Sequence, residues 1–126
     1  MILEPHYATH VNYKFNKINN IKPEILNKVK KYLLELNKNG IKITKAILYG
    51  SYARSEQNEN SDIDLLLISP LFDNGSNKYA GKIWQLTKVS DYKIEPIAVG
   101  EKRFLEDDAT PLLEIARTEG IEIALP

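Results

Sequence analysis

The chain has 126 residues, 17 basic against 17 acidic side chains for a formal net charge of zero, and no cysteine. That length fits one domain with a sizeable core; the missing cysteines exclude disulfide frameworks and zinc–thiolate centres, and the balanced charge provides no global field toward nucleic acid or an anionic membrane. The balance is uneven along the chain, because residues 1–50 hold nine lysines against Glu4, Glu24 and Glu35, a net of +6 that the remainder offsets.

Residues 1–20 are polar, with His6, Tyr7, Tyr13 and Phe15 scattered at no clean period. They read as an N-terminal extension that packs on the domain or meets a partner, and residues 21–126 as the domain itself. His6 and His10 have the i, i+4 spacing of a helical metal site, but no helical pattern surrounds them and they are taken as incidental. Pro23 suits the first turn of a helix and Gly40 its stop. Between them Ile25, Val29, Tyr32, Leu33 and Leu36 recur at helical spacing, which predicts one buried face; Lys28, Lys30, Lys31 and Lys38 fall mostly elsewhere, as on a solvated face. Ile41 to Tyr49 reads as the first strand, and Tyr52 to Asn60 as a short helix or turn running into a polar loop. Ile63 to Ser69 is a second, buried strand stopped by Pro70. The turn-forming run Asp73 to Asn77 precedes a helix over Lys78 to Ser90, with Ile83, Trp84, Leu86 and Val89 inward and Trp84 a core residue. Tyr92 to Val99 is a third strand, and Pro96, lacking a ladder donor, predicts an edge or bulged position. Glu101 to Asp108 is a short acidic helix or turn, Pro111 to Thr118 a further helix, and Ile121 to Ile123 a last brief strand. Alternating helices and strands predict a single α/β domain, a mixed β-sheet flanked by helices. No leader of basic start and apolar stretch is present, nor a run of about 18 apolar residues, so a soluble, cytoplasmic protein is expected.

Chemistry concentrates between the first two strands. Tyr49-Gly50-Ser51 is followed, after ten residues, by Asp62-Ile63-Asp64 at the start of the buried strand. Strand side chains alternate, so Asp62 and Asp64 project from the same side and would repel each other unless a cation sat between them. Oxygen ligands with open positions suit Mg²⁺, which takes one or two carboxylates together with substrate phosphates. A glycine lets backbone approach a phosphate closely and a serine adds a hydroxyl donor. Together these groups describe a metal-assisted nucleotide site; the plainer alternatives are carboxylates capping a neighbouring helix and an ordinary strand-ending turn.

Gly50-Ser51-Tyr52-Ala53-Arg54, followed by Ser61-Asp62-Ile63-Asp64-Leu65, resembles the signature of the DNA polymerase β-like nucleotidyltransferase superfamily, over about Ile43 to Ile123. The short chain looks like the minimal nucleotidyltransferases, many of which act as antitoxins to HEPN-domain toxins. The resemblance implies the nucleotidyltransferase fold, ATP as substrate, two Mg²⁺ ions, and Asp62 and Asp64 as metal ligands, with Gly50, Ser51 and Arg54 on the triphosphate. Such a site needs a third carboxylate from an adjacent strand, and Glu95 is the best match, Asp91 the fallback with a helix-ending role of its own. The alternative for Glu95 is an edge-strand residue pointing to water; for Arg54 it is a surface ion pair with Glu56 or Glu59. Two positions depart from the family pattern: Asp is more usual than Glu at the third carboxylate, and Ser55 stands where Gly commonly follows the arginine.

With no acceptor-binding domain in the chain, the resemblance implies AMP transfer to a hydroxyl presented by another molecule, above all a tyrosine of a HEPN-type toxin within a homo- or hetero-oligomer, with no membrane and no direct nucleic-acid binding. The alternatives are a non-enzymatic antitoxin that occludes its partner over a vestigial site, and a small-molecule nucleotidyltransferase acting on an antibiotic.

Overall fold

The computed structural model describes residues 20–74 and 78–126. The expected extension over residues 1–20, with His6 and His10, therefore lies outside the described residues except for its last position, as does the end of the Asp73–Asn77 turn. Helix α1 (Pro23–Lys38) opens on its proline, and Gly40 follows its last turn at φ +79°. Strands β1 (Lys45–Tyr49) and β2 (Ile63–Ser69) come next, then a 3₁₀ turn over Pro70–Phe72. Helix α2 (Ala80–Gln85) tightens into a 3₁₀ turn over Leu86–Ser90, followed by β3 (Ile94–Gly100), α3 (Glu101–Glu106), α4 (Pro111–Glu119) and β4 (Ile121–Ile123).

The strands form one mixed sheet in the order β3-β2-β1-β4, antiparallel at β1–β2 and β1–β4 and parallel at β2–β3. One face, carrying Leu48, Ile63, Leu65, Leu67 and Ile94, packs on Ile25, Val29, Tyr32 and Leu36 of α1 and on Ile83 and Leu86. Tyr32 ties this layer together by donating its buried hydroxyl to the Ile83 carbonyl at 2.8 Å. The other face, carrying Ile47, Tyr49, Leu66, Ile68 and Val99, packs on Phe104 of α3 and on Leu113 and Ala116 of α4. With helices on both faces, β2 is an unbroken apolar run from Leu65 to Ile68, none more than 1% exposed. That is the pattern of a strand covered on both sides.

β3 lies at the sheet edge, as Pro96 predicts. The Ile63 N–H donates to the Lys93 carbonyl at 2.8 Å, which sets the phase of the parallel ladder: odd-numbered β3 residues bond to β2 and even-numbered ones face outward. The outward Ile94 N–H donates to Ser90 Oγ at 3.1 Å, and Pro96, also outward, has no N–H to leave unmet.

Two expectations are corrected. The first strand begins at Lys45, not Ile41: Ile41 is drawn back onto the helix end by its N–H bond to the Leu36 carbonyl at 2.9 Å. Tyr52 to Asn60, expected as a short helix or turn, forms turns. Trp84 is not in the core: it is 53% exposed, because the six-residue α2 turns only Ile83 inward before the chain tightens at Leu86.

Candidate active site

The turn at the end of β1 is closed by the Gly50 carbonyl, which accepts from the N–H groups of Ala53 and Arg54, both at 3.1 Å. Tyr52 and Ala53 anchor it in the core. Gly50 has φ +75°, a conformation glycine adopts without steric cost. A second reason for glycine is contact: an added Cβ would overlap the Asp64 carboxylate oxygen and lie 3.0 Å from its Cγ. Further along, Ser55 has φ +57°. The backbone thus takes the left-handed shape a glycine would favour and carries a side chain in it, at a cost of roughly 1–2 kcal/mol.

The loop leading to the carboxylates is fastened locally. The Asn58 N–H donates to Ser61 Oγ at 2.9 Å, and Lys93 Nζ reaches the Glu59 carbonyl at 2.8 Å. Asp62 then stands exposed just before β2 and Asp64 is half-buried within it. Strand register sets Tyr49 opposite Asp64 and Asp64 opposite Glu95. The result is one cross-strand row on the face covered elsewhere by α3 and α4. Burial, then the charge of Asp62, raises the Asp64 carboxyl above the ordinary range, with Arg54 pulling the other way. Glu95 is raised too, by partial desolvation, by the charge of Asp62 and a hydrogen bond with it, and by Asp64. The Tyr49 hydroxyl is pushed up to about 12 by burial and by the charges of Asp64 and Glu95.

The structure therefore brings Asp62, Asp64 and Glu95 within mutual electrostatic reach, with Gly50 against Asp64 and Arg54 near it. Arg54 Nε lies 3.1 Å from Glu56 and Nη1 3.8 Å from Glu119 of α4, while Glu59 is engaged through its carbonyl by Lys93. Asp91 takes no part: at φ +57° it ends the 3₁₀ turn after α2 and its carboxylate pairs with Lys28 at 3.6 Å. Tyr49 was not foreseen as a neighbour of the carboxylates. Its signal is positional, since a residue directly before the Gly-Ser turn lands opposite Asp64 once β1 and β2 pair.

An oxygen-only set of mutually repelling carboxylates fits a hard divalent cation. Among the described residues no three acidic or imidazole groups converge on one point; Asp62 and Glu95 are exposed. A cleft of about 440 Å³ opens at the opposite, C-terminal end of β3, lined by Phe72, Tyr79, Ile83, Ala98 and Lys102 among others. It contains none of the residues of the carboxylate row. Among the described residues no helix is long and apolar enough to cross a membrane.

The family model of the nucleotidyltransferase domain matches residues 26–121. Among solved structures, a chain from the crystal structure of a mutant of the toxin-antitoxin MntA-HpeT is similar, with a TM-score of 0.50 and 22% identity over 80% of this chain and 73% of that one. No curated protein matches the chain.

Proposed function

The chain belongs to the nucleotidyltransferase domain family, and from that premise we propose that it transfers AMP from ATP to a hydroxyl of a partner protein, most specifically a tyrosine of a HEPN-type toxin, as a cytoplasmic antitoxin. The observation that carries this reading is the cross-strand row joining Asp64 to Glu95 beside the Gly50-Ser51 turn. The mutant toxin-antitoxin structure of similar fold supports the partner class.

Asp62, Asp64 and Glu95 would hold divalent cation, which when bound neutralises the triphosphate and the attacking and leaving oxygens of an in-line displacement. Gly50 and Ser51 present backbone and hydroxyl donors to the triphosphate, and Arg54 stands three residues on as a cationic partner for it. Glu95, exposed at the edge of the sheet, takes the proton of the acceptor hydroxyl. The acceptor oxygen bonds to the α-phosphorus, the bond from that phosphorus to the bridging oxygen breaks, and pyrophosphate leaves. Positioning and charge neutralisation supply most of the acceleration in phosphoryl transfer, so a small site is sufficient.

Glu95→Gln tests the reading, because glutamine keeps the size and one acceptor oxygen but neither holds a cation as strongly nor takes the proton. AMP added to the partner, measured by mass spectrometry, should fall by about 10²–10⁴-fold, with partner binding little changed. Full neutralisation of the toxin by this variant, with no mass shift on the partner, would mean occlusion in place of transfer.

A further inference from the structure

The Tyr49–Asp64–Glu95 row runs across the sheet from the Gly50-Ser51 turn to the outermost strand. The turn end is rich in charge, with Arg54 held between Glu56 and Glu119. The Glu95 end differs. Two residues along β3, about 7 Å by strand geometry, Ile97 projects from the same face as Glu95 and is 38% exposed. Its neighbours on that face are covered: Leu66, its partner on β2, is 0% exposed, and Val99 is 3% exposed under Phe104. A single exposed isoleucine is ordinary on a protein surface. This one is set apart by its place, on the face of the carboxylates and beside the one that would receive the acceptor's proton.

We propose that Ile97 is the acceptor-side specificity contact: an apolar platform on which the hydroxyl-bearing segment of a partner protein lies, its apolar part against Ile97 and its hydroxyl at Glu95. The inference rests on the AMP-transfer reading and deepens it by naming the acceptor as an apolar protein segment. A polycationic small acceptor gains nothing from a sec-butyl group at that point, whereas an apolar segment buries it. The triphosphate lies at the charged turn and the acceptor at the apolar edge, so the two substrates approach the carboxylates from opposite ends of the row.

The test uses the full chain with a HEPN-type toxin bearing the proposed acceptor tyrosine, MgATP in excess, and the variants Ile97→Ser and Ile97→Val. Ile97→Ser should raise KM for the partner by about tenfold or more, the loss expected when apolar contact to a substrate is removed. Its kcat and its MgATP affinity by calorimetry should stay within about twofold, and Ile97→Val should resemble the wild type. An unchanged partner KM in Ile97→Ser overturns the platform, and so does an equal loss of MgATP affinity, which marks a structural effect. Wild-type chain that adds no AMP to its partner overturns the transfer reading and the platform together. Wild-type transfer with an indifferent Ile97→Ser overturns the platform alone.

Discussion

Gly50→Ala probes the tightest contact in the site. Two penalties are expected. The backbone at φ +75° costs an alanine about 1–2 kcal/mol, and the new methyl must displace the Asp64 carboxylate lying against it, an overpacking cost of about 1–3 kcal/mol. Their sum, about 2–5 kcal/mol, corresponds to a fall in Tm of roughly 8–20 °C for a domain of this size. The two penalties separate in a double-mutant cycle with Asp64→Ala, which removes the obstructing carboxylate and leaves the backbone unchanged. Gly50→Ala should then cost only the backbone penalty, so denaturation of the four proteins should give a coupling of about 1–3 kcal/mol between the positions. A cost for Gly50→Ala that is the same in both backgrounds would refute the reasoning, because it would show that Asp64 does not occupy the space beside Gly50.

Asp62→Asn combined with Asp64→Asn should abolish AMP transfer yet stabilise the cation-free protein near neutral pH. Burial and neighbouring charge raise Asp64 and Glu95 in the folded state. The stability these groups contribute is therefore fully present below the ordinary carboxylate range and lost as pH rises through their raised folded values. Thermal melts should show the gap between double variant and wild type at about pH 7 and its closure by about pH 3.5, and Mg²⁺ should raise Tm in the wild type alone; near-normal transfer by the variant, or an equal Mg²⁺ effect on both proteins, would count against the assignment. Ser55→Gly should stabilise the protein by about 0.5–1 kcal/mol, the left-handed cost less the added freedom of the unfolded glycine, and a lower Tm would show that serine is not strained there.

Where the sequence was legible, one physical cause acted alone. The apolar face of α1 and the bounds of β2 follow from spacing and from flanking prolines, and the edge position of β3 from the missing donor of Pro96. The carboxylates were legible as a motif; their row with Tyr49 was not, because cross-strand register depends on the pairing of distant segments. Trp84 was misplaced because its apolarity was weighed without knowing how short α2 is. Where apolar residues exceed the inward positions of a six-residue helix, size does not decide which of them is left outside. The start of β1 shows the same limit: Ile41 has strand propensity, yet the helix end claims its N–H, a contest between neighbours that composition does not weigh.

The outer margin of β3 bears on how the chain behaves before it is fully folded. Parallel pairing of β2 with β3 joins segments far apart in sequence and forms slowly, and an unpaired strand margin is a template for a second chain. Here two of the outward positions are blunted by local chemistry: Ile94 spends its N–H on Ser90, four residues back, and Pro96 has none to offer. The first of these protections needs only the short segment between α2 and β3, so it can form ahead of the sheet, and the second is covalent. A partly folded copy thus presents an interrupted margin to its neighbours, which favours completion of its own sheet over cross-chain aggregation.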